Sequence, residues 1–94
     1  MPTSSEPVVL ERAVTLPPDV DLHARPAATF VRAAMGFSAK VWIAAGEREV
    51  EAKSLLSVLA LGARRGSEVR LRADGEDASA ALDALAATLA GLTE

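Results

Sequence analysis

Hydrophobic and polar residues alternate along four short segments of the chain. Because successive side chains of a β-strand point to opposite sides, such alternation is typical of a strand that buries one face. Arg12 is the single polar residue that interrupts the apolar face of the first segment. We therefore predict four strands, over residues 8–16, 37–44, 48–52 and 68–73.

Elsewhere, apolar residues recur three or four positions apart, which predicts three amphipathic helices. The first covers residues 23–35 and ends before Gly36, where we expect a left-handed cap. The second starts after Ser54, whose hydroxyl is suited to cap a helix, and ends at Gly62. The third has the clearest apolar stripe, formed by Ala78, Leu82, Leu85, Leu89 and Leu92.

The resulting order, βαββαβα, favours an α+β fold in which a four-stranded antiparallel sheet is covered on one face by three helices. That order alone fits several families, including ferredoxin-like RNA-binding domains and small regulatory ligand-binding domains. We interpret residues 8–94 as one domain, since 94 residues suffice for a single core. Residues 1–7, rich in proline and hydroxyl residues, are expected to form a flexible tail.

Composition excludes several kinds of chemistry. The chain has no cysteine and one histidine, so disulfides, thiolate metal sites and imidazole clusters are not expected, and neither is a cofactor. A net charge of −3 with scattered basic residues gives no footprint for a nucleic acid partner. Without a secretory signal or an apolar run of membrane-spanning length, we expect a cytoplasmic protein that does not insert into membranes.

The single histidine, His23, stands at the predicted start of the first helix. If it caps that helix, unpaired first-turn amides and the positive end of the helix dipole lie beside its ring. Pro26 is compatible with this placement, since a first-turn amide has no helical partner to lose. Such a site suits an anion, and a neutral imidazole nitrogen there is a nucleophile toward phosphorus, with Arg25 able to stabilise the added charge. A lone histidine at a helix start is, however, more often a simple surface or capping residue.

Two motifs resemble those of one family. Residues 22–27, Leu-His-Ala-Arg-Pro-Ala, resemble the active-site signature of the HPr family, the histidine-containing phosphocarriers of the bacterial phosphoenolpyruvate-dependent sugar phosphotransferase system. Residues 53–62, Lys-Ser-Leu-Leu-Ser-Val-Leu-Ala-Leu-Gly, resemble the family's regulatory serine segment. The resemblance covers residues 8–92 and implies an open-faced β-sandwich with the element order given above.

The resemblance also implies roles for individual residues. His23 would accept a phosphoryl group at Nδ1 from phosphorylated enzyme I and pass it to a histidine of enzyme IIA, with Arg25 stabilising the phosphate. Ser54 would be the regulatory serine, modified in some bacteria by an HPr serine kinase/phosphorylase. We expect the protein to be a monomer whose first two helices contact these partners through Ala24, Ala27, Leu55, Leu56 and Leu59, while Val58 lies in the core.

Some residues depart from the family pattern. Asp21 stands where the family usually has glycine, and its carboxylate would favour the imidazolium if it pointed at His23. Ser57 and Met35 also differ from common family residues. An alternative function is a regulatory module sensed through its phosphorylation state, including in a nitrogen-related branch. An RNA-binding domain would need exposed aromatic residues on the central strands and a basic face, which this sequence does not supply.

Overall fold

The alternating segments form the four strands of one antiparallel sheet in a computed structural model that describes residues 9–93. The strands are β1 Val9–Thr15, β2 Lys40–Ala45, β3 Arg48–Glu51 and β4 Glu68–Asp74, and the helices are α1 Ala24–Met35, α2 Leu55–Leu61 and α3 Ala78–Ala90. The predicted fold class and the order βαββαβα are confirmed. The expected flexible tail over residues 1–7 lies outside the described residues, and the single domain over 8–94 stays a prediction.

The sheet has the strand order β1-β4-β2-β3, so the last strand of the chain is inserted beside the first. In this register Val14 lies opposite Val69, and Leu71 lies opposite Ile43. Because side chains alternate across the sheet, these residues share one face, and the three helices cover it. Trp42 and Arg72, which also lie opposite each other, share the other, open face.

The interruption at Arg12 has a simple structural explanation. Arg12 shares the helix-covered face with Leu10 and Val14, but β1 is an edge strand and the guanidinium reaches solvent. Its Nη2 atom lies 2.6 Å from Oδ1 of Asp83 on α3. The charged residue therefore joins the edge strand to the helix above it instead of entering the core.

The core between helices and sheet fixes the direction of α1. Phe30 is the largest fully buried side chain, and Ala27 and Ala34 on the same side of α1 are also buried completely. Leu85 and Leu89 of α3 close the core from above. Since burial removes this side of α1 from water, the helix is held in place and its first residues stay at one end of the sheet.

The expected left-handed cap at Gly36 is wrong. Gly36 has φ −75° and ψ −4°, which is right-handed helical geometry, and its amide donates to the Ala33 carbonyl at 3.1 Å. The last turn of α1 thus tightens instead of reversing. The left-handed cap occurs at Gly62, which follows α2 with φ 62° and ψ 37°.

Candidate functional site

His23 is the N-cap of α1, as the sequence predicts, and its side chain is exposed. The residue before it, Leu22, is fully buried, and the Leu22 amide donates to the Ala63 carbonyl at 2.9 Å. The His23 amide donates to the Asp21 carbonyl, also at 2.9 Å. The backbone is therefore anchored on the inner side of the loop, while the imidazole forms no hydrogen bond or ion pair with any other described residue.

The first turn of α1 offers free donors beside this ring. The amides of Ala24 and Arg25 donate to no other residue within 9–93, Pro26 has no amide hydrogen, and the Ala27 amide is used by the His23 carbonyl at 3.4 Å. Unpaired amides at a helix N-terminus, together with the helix dipole, attract anions. Two N–H groups next to His23 are thus available to a negatively charged group.

Ala24 adopts a left-handed conformation with φ 48°, and it is the one non-glycine residue of the described chain with positive φ. For an L-residue this conformation costs about 1–2 kcal/mol, because Cβ approaches a backbone oxygen. The strained residue lies directly between the exposed imidazole of His23 and Arg25. The sequence carries no signal for it, since alanine is not a residue that favours this region.

Arg25 and His23 border one depression of about 290 Å³, together with Asp21, Ala24 and Pro26. The Arg25 guanidinium forms no ion pair or side-chain hydrogen bond with another described residue. The predicted pairing of a histidine with an arginine at a helix start is therefore present. This arginine has its charge and all of its donors available to an external anion.

Asp21 is directed at Arg65, on the loop that follows α2. One carboxylate oxygen of Asp21 accepts from the Arg65 amide at 2.8 Å, and the other lies 3.3 Å from Arg65 Nη2. The backbone hydrogen bond from Arg65, followed by the bond from its side chain, lowers the pKa of Asp21 below its ordinary value. The negative charge that the sequence places near the imidazole is thus matched by a neighbouring positive charge.

Ser54 is the N-cap of α2, and its Oγ atom accepts from the Ser57 amide at 3.3 Å. The predicted capping role is confirmed. The residue is half-buried at the start of α2. Next to it, Lys53 Nζ donates to the Phe37 carbonyl at 2.6 Å, which ties the start of α2 to the end of α1.

Apolar side chains are exposed where α1 meets α2. Leu56 is 80% exposed, Met35 65% and Leu55 41%, whereas Val58 is buried as predicted. A groove of about 320 Å³ runs between the two helices and is lined by Ala28, Val31, Arg32, Met35, Lys53 and Leu55. We call the exposed residues Met35, Leu55 and Leu56 the apolar patch. Ala24, also expected to contact partners, is exposed at the opposite end of α1, next to His23.

Two residues expected to contact partners are placed differently from the patch. Ala27 is completely buried on the core side of α1, so its side chain offers no surface to another protein, and that expectation is corrected. Leu59 is half-buried and packs against the core. The spacing of apolar residues along α1 and α2, helices of 12 and 7 residues, did not show that Ala27 and Leu59 face the core.

The fold and the site together define a class of small protein in which a helix-capping histidine can carry an anionic group. The exposed imidazole, the two free amides and the unpaired Arg25 guanidinium are its parts. Residues 9–93 contain no cluster of three or more histidine and acidic side chains that could hold a metal ion. None of the helices within the same residues has the length and hydrophobicity needed to cross a membrane.

Comparison with known proteins identifies the family. Residues 10–91 match the family described as PTS HPr component phosphorylation site. The chain is 48% identical to phosphocarrier protein HPr of Streptomyces coelicolor, over 89% of this chain and 92% of that protein. It is 47% identical to the HPr of Haloferax volcanii, over 81% of this chain and 88% of that one.

A solved structure agrees with these sequences. The crystal structure of a phosphocarrier protein HPr from Bacillus anthracis superposes with a TM-score of 0.83 at 36% identity, covering 86% of this chain and 96% of that one. The chain therefore belongs to the HPr family, the phosphohistidine carriers of the phosphotransferase system for sugar transport.

Proposed function

We propose that this protein accepts a phosphoryl group on Nδ1 of His23 from phosphorylated enzyme I and donates it to a histidine of enzyme IIA. The observation that carries the proposal is the exposed, unpaired imidazole beside the free amides of Ala24 and Arg25. No other described element combines a nucleophilic ring nitrogen with unpaired donors.

The transfer needs a lone pair on Nδ1, so the neutral ring keeps its proton on Nε2. Nδ1 forms a bond to phosphorus while the bond from phosphorus to the donor breaks, and the bonding electrons leave with the donor atom. The product carries up to two negative charges beside the first turn of α1. Each charge-assisted hydrogen bond from the amides or from Arg25 contributes about 1.5–3 kcal/mol to holding that group.

The apolar patch is the proposed docking surface for both partners. It lies on the same two helices that present His23 and Ser54, and removing its side chains from water favours association. A docked partner also excludes water from the imidazole, which strengthens the contacts to the phosphoryl group. The protein would perform this exchange as a monomer in the cytoplasm, where enzyme I and enzyme IIA meet it in turn.

Ser54 is the proposed regulatory position, modified by an HPr serine kinase/phosphorylase. Its hydroxyl adjoins Leu55 of the apolar patch, so a phosphate there would place about −1.5 to −2 charges against an apolar docking surface. We expect Ser54→Asp to slow phosphorylation by enzyme I. Since aspartate at position 54 still offers a capping oxygen, Ser57→Asp is the neighbouring control that adds the same charge three residues further along α2.

The test of the proposed function uses the full chain with phosphoenolpyruvate and a cognate enzyme I. The expected result is one phosphate per molecule that is labile in acid and stable in alkali, and that is absent from His23→Gln. Thr29→Ala, an exposed change on α1 away from the ring, should be phosphorylated like the parent. Phosphate retained by His23→Gln would overturn the assignment.

A further inference from the structure

The loop that follows α2, residues 62–67, runs beside the loop that leads into His23. Three backbone hydrogen bonds of 2.9 Å join them, namely Leu16 N–H to the Ser67 carbonyl, Leu22 N–H to the Ala63 carbonyl and Gly66 N–H to the Pro17 carbonyl. Because these bonds bracket residues 64 and 65, they hold the backbone of both arginines beside the loop that leads into His23.

The two arginines of this loop are used differently. Arg65 is bound to Asp21 through its amide and its guanidinium. Arg64 is exposed and forms no ion pair or side-chain hydrogen bond with another residue of the described chain. Arg64 lowers the pKa of Asp21 only through its charge, while Asp21 is hydrogen-bonded to Arg65, so the donors of Arg64 stay available.

Arg64 and His23 both line a second depression. This depression, of about 220 Å³, is lined by His23 and Arg64 together with Asp21, Leu22, Gly62 and Ala63. It is separate from the one that Arg25 lines, and His23 belongs to both. A group bonded to His23 therefore adjoins two depressions, one lined by Arg25 of α1 and the other by Arg64 of the loop after α2.

We propose that Arg64 is a second phosphate-binding residue, which contacts the phosphoryl group during its transfer to and from His23. This inference rests on the proposed phosphocarrier function. The guanidinium has five donors and a fixed positive charge, and it can hold a phosphoryl oxygen that the two amides and Arg25 leave unsatisfied. The contact strengthens in the docked complex, where water is excluded and the charge on the phosphoryl group is less screened.

The test compares Arg64→Ala and Arg64→Lys with Arg12→Ala, which removes the same charge from the edge strand outside both depressions. Each protein is phosphorylated with phosphoenolpyruvate and enzyme I. We measure the kcat of enzyme I and its KM for each variant as the phosphoryl acceptor. A pH titration of the phosphohistidine by ³¹P NMR follows on the isolated protein. The NMR titration reports the charge beside the phosphate and does not respond to docking.

We expect Arg64→Ala to lower kcat about tenfold with a smaller change in KM. Its ³¹P titration midpoint should move to higher pH, because loss of a nearby cation disfavours the doubly charged phosphate. Arg64→Lys should recover part of both effects, and Arg12→Ala should match the parent.

A kcat or a titration midpoint of Arg64→Ala equal to that of Arg12→Ala would overturn the role of Arg64 while leaving the carrier function intact. If the parent itself gains no phosphate on His23, the carrier function and this inference both fail.

Discussion

Two arginines near His23 lack the ion-pair partner that Arg72 has on the open face of the sheet. On the open face, Arg72 donates to both carboxylate oxygens of Glu49, at 3.1 and 2.7 Å, and its guanidinium lies 4.0 Å from the ring centroid of Trp42. Around His23, Arg25 and Arg64 have no such partner among the described residues. Arginine is bound to neighbouring side chains in one region, whereas in the other its guanidinium is available to an external anion.

The largest expected effect is on the rate of phosphoryl transfer, which should depend on Arg25 and not on Arg72. Since we propose that Arg25 stabilises the phosphoryl group, Arg25→Ala is expected to slow phosphorylation by enzyme I about 10- to 100-fold, with an unchanged free energy of unfolding. Arg72→Ala should lower the free energy of unfolding and leave the transfer rate unchanged, since it removes an ion pair and a cation–π contact on the open face. Transfer kinetics and urea denaturation of both variants check this pair. Equal transfer rates in the two variants would contradict the proposed difference between Arg25 and Arg72.

Acid should weaken the ion pairs that Arg72 and Arg65 form with Glu49 and Asp21. The hydrogen bond from Arg72 lowers the pKa of Glu49 from 4.5, and the backbone bond from Arg65 lowers that of Asp21 from 3.8. A carboxyl with a lowered pKa in the folded protein stabilises it fully above the ordinary value, and this contribution is lost as the pH falls through the lowered value. We therefore expect the free energy of unfolding to decrease as the pH falls below about 4.5.

The control for this pH dependence is Glu49→Gln, which keeps the shape of the side chain and removes its titration. Urea denaturation at several pH values should give a shallower decrease for Glu49→Gln than for the parent. Identical slopes would show that the ion pair on the open face does not couple to folding.

A smaller effect concerns the strained residue at the site. Glycine tolerates positive φ, so Ala24→Gly should raise the free energy of unfolding by up to about 1 kcal/mol. The matched control is Ala28→Gly, in the right-handed part of α1, where glycine should lower it by about 1 kcal/mol. Opposite signs in thermal or urea denaturation support the left-handed conformation of Ala24. A loss of stability in both variants would contradict it.

Sequence patterning was sufficient for the parts of the molecule that depend on local periodicity. Strand alternation and helical spacing gave the element order, and His23 with Arg25 could be paired because one helix start holds both. The contact of Asp21 with Arg65 spans 44 residues and depends on how two loops meet, so no local pattern indicates it.

Burial on the two shorter helices could be predicted only in part, correctly for Val58 but not for Ala27. Ala27 and Ala24 are the same residue type three positions apart, yet one is fully buried and the other exposed. Ala27 lies on the side of α1 that carries Phe30 and packs into the core, whereas Ala24 begins the helix in a left-handed conformation. That orientation is decided by packing of the whole core and not by the residues of the motif.

The central claim is that His23 carries the phosphoryl group on Nδ1, and the ring nitrogens report on it directly. In protein labelled with ¹⁵N, NMR of the single histidine before and after addition of phosphoenolpyruvate and enzyme I distinguishes the two positions. The account predicts a phosphorus coupling and a large shift at Nδ1, with Nε2 retaining its proton. A phosphoryl group on Nε2, or an imidazole unchanged while the protein gains phosphate elsewhere, would contradict it.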